Sequence, residues 1–144
     1  MECIYVYFIN YCSSNKKCPV LFNFLSGKKI IFAGMDIRGD RRAMARSWDD
    51  FQITEAYHVD IQMLYQVDGV EWSGMASLAA ELISYHYTKM KVELPSKHHG
   101  LWEESPLHEV NLHYAAVDGY VSYELYRKIK RIKMGLQLHL QPTY

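Results

Sequence analysis

The chain has 144 residues, of which 49% are apolar and 22% charged; this composition is typical of one soluble globular domain with a substantial core. Its 16 basic and 16 acidic residues give a formal net charge of zero, which argues against a domain held to nucleic acid mainly by bulk charge. Three cysteines, Cys3, Cys12 and Cys18, form no Cys-x-x-Cys pair, so neither a disulfide framework nor a zinc knuckle is predicted.

The first eleven residues are mostly apolar, but this run is too short to span a bilayer. It also lacks the leading basic region and cleavage site of a signal peptide. We therefore expect no membrane partner and an intracellular location, nuclear or cytoplasmic, which also suits unpaired cysteines.

The N-terminal half of the chain alternates predicted strands and helices. Residues 3–9 are β-branched and aromatic, which indicates a strand covered on both faces. Residues 19–25 begin with a proline and carry apolar residues on one side, which predicts a short helix. Residues 30–35 are typical of a parallel strand, and residues 40–47 of a helix that starts near Asp40.

The middle of the chain is predicted to consist of short elements. Residues 51–53 and 56–60 indicate extended pieces, and Asp60 is a candidate cap for a helical segment at 61–67. A turn is expected at residues 68–69, and residues 75–85 form an amphipathic helix pattern.

The last helix is predicted to start at Ser105-Pro106, a cap followed by a proline, and to run towards Ile132 with a possible interruption near Gly119. A basic tail, residues 127–144, follows Asp118 on this helix. The preferred interpretation of its cations is a solvated helix end stabilised by the helix dipole; the alternative is a phosphate-binding surface. Strands alternating with helices make the chain an α/β layered domain.

Three polar residues are candidates for chemistry. Tyr114 and Asp118 are four residues apart, so they share one helix face. A carboxylate that holds a divalent ion and a hydroxyl that orients the attacking water would suit phosphodiester hydrolysis. Asp40 follows the second predicted strand, where a side chain can point into a cleft. Spacing alone is weak support, because Tyr-x-x-x-Asp occurs by chance in many helices.

Three stretches carry a more specific signal. They are residues 19–40, which end in FAGMDIRGD; residues 74–79, GMASLA; and residues 102–119, where WEESPL precedes YAAVDG. The chain resembles the 3′–5′ exonuclease domain of the DnaQ-like (DEDD) superfamily, in its Werner-type, DEDDy branch. The order and spacing of the motifs agree across about residues 3–130.

The resemblance implies an RNase H-like mixed sheet flanked by helices and a substrate that is the 3′ end of DNA or RNA. In that family four acidic residues hold two divalent ions, Mg²⁺ or Mn²⁺, and a tyrosine positions the nucleophilic water. Carried over by position, Asp40 and Asp118 are metal ligands and Tyr114 is the water-orienting residue. Asp36 is a nearby alternative to Asp40, one turn of the pattern too early.

The chain departs from the family at its first motif, a strand bearing Asp-x-Glu. The only early acid is Glu2, so the chain is expected to lack the first strands and to begin at the family's third. Two ions would then face at most two protein carboxylates, and Mg²⁺ is bound weakly by so few. We expect strongly impaired or absent hydrolysis. Gly119 also replaces the usual alanine, and Met44 the usual leucine.

Missing strands would leave sheet edges that invite pairing with another chain. The sequence could be a fragment, the strand at residues 3–9 could pair directly with residues 30–35, or a second copy could cover the edge as a homo-oligomer. Four interpretations stay open: an exonuclease completed by further sequence or another chain, a nucleic-acid-binding domain with impaired hydrolysis, a non-catalytic oligomeric scaffold, and an unrelated α/β domain whose motif matches arise by chance. Trp102 is expected to pack in the core or at an interface rather than stack on a base.

Overall fold

The computed structural model describes residues 19–47, 57–65, 74–87, 100–104 and 106–139. The predicted strand at residues 3–9, the extended piece at 51–53 and the turn at 68–69 lie outside these residues. The described part is a mixed α/β structure. Its elements in chain order are helix α1 (Pro19–Ser26), strand β1 (Phe32–Gly34), helix α2 (Arg38–Ser47), strand β2 (His58–Asp60), helix α3 (Ile61–Leu64), helix α4 (Met75–Leu82), a 3₁₀ turn (Leu101–Glu103) and helix α5 (Glu109–His139).

The two described strands form a parallel pair, as predicted for the second strand. Their register joins Phe32 to His58, Ala33 to Val59 and Gly34 to Asp60. Each strand is only three residues long, shorter than the predicted extended segments. Because parallel strands end at the same edge of a sheet, the residues that follow Gly34 and those at Asp60 are brought together.

The core lies between α5 and the elements that precede it. Val121, Leu125 and Ile129 recur every four residues along α5 and are each at most 2% exposed, so they form a continuous apolar stripe. This stripe packs with Ile61 of α3 and with Leu78 of α4. Full burial of one such side chain contributes roughly 1.5–3 kcal/mol, so α5 is held mainly by its packing.

Helix α5 starts later and ends later than predicted. The backbone N–H of Val110 donates to Nδ1 of His108 at 3.2 Å, so the His108 imidazole caps the helix in place of the predicted Ser105. The helix also continues through Gly119 without interruption. A glycine costs a helix about 1 kcal/mol relative to alanine, and the burial of Val121 and Leu125 outweighs that cost.

Helices α3 and α4 are both shorter than predicted. Asp60 caps α3 as expected, but the helix has only four residues. Helix α4 ends at Leu82 rather than at residue 85, because the N–H groups of Ile83 and Ser84 both donate to the carbonyl of Ala79, each at 3.0 Å. That shared acceptor closes the helix. None of the helices in the described ranges has the length and apolarity needed to cross a membrane.

Candidate functional site

The site is organised around Asp60, at the edge where both strands end. Its carboxylate is buried, with 5% of the residue exposed. Oδ1 accepts hydrogen bonds from the backbone N–H of Gln62 at 3.0 Å and from that of Asp36 at 3.2 Å. A single carboxylate therefore joins the start of α3 to the connection between β1 and α2.

The connection between β1 and α2 contains a residue in the left-handed region. Asp36 has a φ of 50°, a conformation that aspartate adopts more readily than most residues because its short side chain can bond locally. Its carboxylate accepts from Nε of Arg38 at 3.3 Å. Asp36 thus serves as a turn residue here, with its backbone held by Asp60 and its side chain by Arg38.

Asp40 lies in the first turn of α2 and is exposed. A negative side chain at this position is favourable, because the N-terminal end of a helix carries partial positive charge. The helix itself is anchored by Arg41, whose guanidinium Nη2 donates to the carbonyl of His58 at the start of β2. The strand pair therefore sets the orientation of the helix that presents Asp40.

His58 connects the strand pair to α1. It is 4% exposed, and its Nε2 lies 3.0 Å from the carbonyl oxygen of Leu25. A carbonyl only accepts, so this nitrogen carries the proton and donates. The imidazole also stacks on Phe32, with ring centroids 5.5 Å apart and an interplanar angle of 15°. His58 is a structural residue that fixes α1 against the sheet.

Tyr114 and Asp118 lie one turn apart on α5 and are both half-buried. The Tyr114 ring meets Trp102 edge to face, with centroids 6.5 Å apart and an interplanar angle of 73°. Trp102 therefore packs within the protein, as predicted, and restricts the Tyr114 ring. Oδ1 of Asp118 is buried, and neighbouring Val117 packs on the core, so Asp118 lies at the border of the apolar stripe.

The described carboxylates do not fit a resident pair of divalent ions. Hydrolysis with two ions needs several oxygen ligands that converge on one point. Among residues 19–47, 57–65, 74–87, 100–104 and 106–139, no group of three or more His, Cys, Asp or Glu side chains converges in this way. Asp40 and Asp118 are thus not joined there by a third ligand, and their roles as metal ligands stay predictions.

Sequence reasoning found Asp60 only as a helix cap. Its second bond, to the backbone of Asp36, joins residues 24 apart in the chain, and only the parallel register of the strands brings these residues together. The roles of Arg41 and His58 were missed for the same reason. In the sequence, the signal for this contact between the start of α3 and the β1–α2 connection is an aspartate placed between an extended segment and an apolar helix.

Comparisons with known proteins agree with this architecture at the level of a family. A family model described as a 3′-5′ exonuclease matches residues 2–133. Neither the curated proteins nor the solved structures give a match. Because the family model covers most of the chain, including both strands and the helix that bears Tyr114 and Asp118, the chain belongs to the 3′–5′ exonuclease family.

Proposed function

We propose that this chain is a Werner-type, DEDDy-type exonuclease domain that binds nucleic acid 3′ ends and whose hydrolysis of them is strongly impaired or absent. The observation that carries the proposal is the family match over residues 2–133 together with a described donor set in which no three metal-binding side chains converge. The first supports a nucleic-acid substrate, and the second supports weak catalysis.

The described residues support substrate positioning better than chemistry. Tyr114 has its ring restrained by Trp102, and Asp40 is presented by a helix anchored through Arg41. These contacts restrain the Tyr114 ring and the helix that bears Asp40, which favours a role in orienting a bound strand end. Members of the family use Mg²⁺ or Mn²⁺. Because the described donors do not fit two such ions, we assign no hydrolytic step to the described residues.

A nuclease assay tests the proposal. The purified chain would be incubated with 5′-labelled single- and double-stranded DNA and RNA in Mg²⁺ or Mn²⁺, beside the double variant Asp40→Asn, Asp118→Asn. We expect binding of the oligonucleotides without stepwise loss of 3′ nucleotides. The asparagine variant keeps side-chain volume, so it separates charge from packing.

Two results would contradict the proposal in different ways. Stepwise shortening that disappears in the double variant would show a working exonuclease whose missing ligands come from elsewhere in the chain or from another copy. If the chain neither binds nor shortens the oligonucleotides, it has no nucleic-acid function, and the exonuclease fold must serve a different function in this protein.

A second candidate function is an oligomeric scaffold built on the same fold. It is favoured by exposed apolar side chains in α1 and at β1: Val20 is 79% exposed, Phe24 45% and Ile31 47%. Exposed large apolar side chains, where they form a patch, mark interaction surfaces. Light scattering coupled to size-exclusion chromatography would show a dimer or larger species, and Val20→Lys with Ile31→Lys would convert it to monomer. A monomeric wild-type chain excludes this function.

A further inference from the structure

Positive charge is concentrated in the second half of α5. Five of the chain's 16 lysines and arginines, and none of its 16 acidic residues, follow Glu124; the residues up to Glu124 carry 11 basic and 16 acidic side chains. The chain is neutral overall only because an acidic portion, up to Glu124, is balanced by a strongly basic segment after it. We call the outward side of α5 that carries Tyr120, Tyr123 and the cations between Arg127 and Lys133 the α5 basic face.

Most of these cations are exposed and lack local partners. Lys130, Arg131 and Lys133 are exposed, and no acidic residue lies three or four positions from any of them on α5. The described part of the chain provides no ion-pair partner for these three. Arg127 differs, because its guanidinium lies 3.6 Å from the carboxylate of Glu124.

The helix dipole does not explain this cluster. The dipole effect falls off within the last turn of a helix. Helix α5 ends at His139, so the last cation, Lys133, lies more than one turn before the end. The interpretation of these residues as a stabilised helix end therefore fails once the observed length of α5 is known.

The cations also repel one another along the helix. Arg127 and Arg131 are four residues apart, and Lys130 and Lys133 three apart; like charges at these spacings destabilise a helix. Helix α5 tolerates the repulsion because Leu125 and Ile129 are fully buried on its other side. A polyanion bound along the exposed side would replace repulsion by attraction.

Aromatic side chains continue this face towards the N-terminus of α5. Tyr120, Tyr123, Arg127 and Arg131 follow at spacings of three, four and four, so they share one side of the helix. Tyr120 is 41% exposed and stacks on Tyr87, with centroids 6.5 Å apart and an interplanar angle of 5°. Arg127 lies over the Tyr123 ring, 5.4 Å from its centroid.

We propose that the α5 basic face binds single-stranded nucleic acid, with its cations on the phosphates and the outer face of Tyr120 stacked on a base. Cations interleaved with aromatic rings are the pattern of single-strand binders, since every base has a face that can stack. The proposal rests on the proposed function and adds where the strand is held. The face is separate from Asp118, which lies at the border of the buried stripe.

Binding is measured by fluorescence anisotropy with labelled single-stranded DNA and RNA in EDTA, across a series of KCl concentrations. The double variant Lys130→Gln, Lys133→Gln is compared with the matched control Lys28→Gln, Lys29→Gln, which removes two other exposed lysines. The plot of log K against log salt has a negative slope. In the α5 variant we expect this slope to become shallower by about 0.7 for each phosphate that its side chains no longer neutralise. The control should keep the wild-type slope.

A third variant, Tyr120→Ala, tests stacking: we expect affinity for single strands to fall by roughly fivefold or more, with no change for duplex of the same sequence. Thermal unfolding followed by circular dichroism confirms that all variants are folded.

Wild-type binding that the α5 variant leaves unchanged would overturn the inference and leave the proposed function standing. Equal losses in both lysine variants would also overturn it, because they would indicate bulk charge alone. No binding by the wild-type chain would overturn both. Binding to anionic phospholipid vesicles but not to oligonucleotides would identify the partner of this face as a membrane surface and would equally overturn the inference.

Discussion

Replacing Asp60 by alanine tests how much the junction at the strand ends contributes to stability. Its carboxylate accepts from the backbone N–H groups of Gln62 and Asp36 at 3.0 and 3.2 Å. Loss of a helix cap costs about 1 kcal/mol. The partly buried hydrogen bond from the N–H of Asp36 would also be lost, which costs about 1 kcal/mol more.

Removal of the second carboxylate oxygen partly offsets this loss of stability. Oδ2 of Asp60 is buried and has no hydrogen-bond partner among the described residues, so removing it relieves a desolvation cost. We therefore expect Asp60→Ala to lower the free energy of unfolding by up to about 2 kcal/mol, a large share of the 5–15 kcal/mol typical of a domain. Asp60→Asn keeps an acceptor oxygen and should cost about half as much, because hydrogen bonds to a charged group are stronger.

Urea unfolding followed by far-ultraviolet circular dichroism gives the free energies by linear extrapolation. Hydrogen exchange at the Asp36 amide gives a local readout: exchange should accelerate in Asp60→Ala and stay slow in Asp60→Asn. An alanine variant within about 0.5 kcal/mol of wild type, the range of ordinary surface substitutions, would refute the reasoning. So would an asparagine variant as unstable as the alanine variant, since the shared acceptor would then be irrelevant.

Three further changes have defined outcomes. A Cβ at Gly119 would meet no atom within 4 Å, so Gly119→Ala should raise the free energy of unfolding by about 1 kcal/mol; an unchanged thermal midpoint would contradict this. His108→Ala removes the cap on the N–H of Val110 and should cost about 1 kcal/mol by urea unfolding, whereas His108→Asn should restore most of it. Burial, and then a hydrogen bond with Tyr120, raise the pKa of Tyr87 to about 12, above its ordinary value of 10.0. The fold favours the neutral phenol of Tyr87, so the stability that it contributes is complete below pH 10 and is lost as pH rises through 12. Tyr87→Phe should remove this loss of stability at high pH. If an ultraviolet titration of the variant still shows the tyrosine that ionises at the highest pH, the assignment of that pKa to Tyr87 is wrong.

Local patterns in the sequence were sufficient for much of the fold. Pro19 and the apolar spacing after it predicted α1, and the β-branched run before Gly34 predicted a parallel strand. Asp60 was identified as the cap of α3. These features depend on contacts within a few residues, which the sequence displays directly. The motifs around Tyr114 and Asp118 led to the exonuclease family, and the family match over residues 2–133 confirms that membership.

Element boundaries were less predictable, because they depend on competition between local signals and packing. Ser105 is a good cap by composition, but the imidazole of His108 performs that role. Gly119 weakens the helix locally, but the buried stripe of α5 carries it through to His139. That extra length changes the meaning of the basic cluster, which lies too far from the helix end to be explained by the dipole.

The sequence by itself determined the family, the identity of the candidate residues Asp40, Tyr114 and Asp118, and the excess of positive charge near the C-terminus. These properties are carried by residue type and spacing along the chain. Tertiary structure alone decided that Asp60 holds the backbone of Asp36, and that the described carboxylates do not converge into a metal centre. Both depend on the parallel register of β1 and β2 and on the packing of α5, which join residues far apart in the chain.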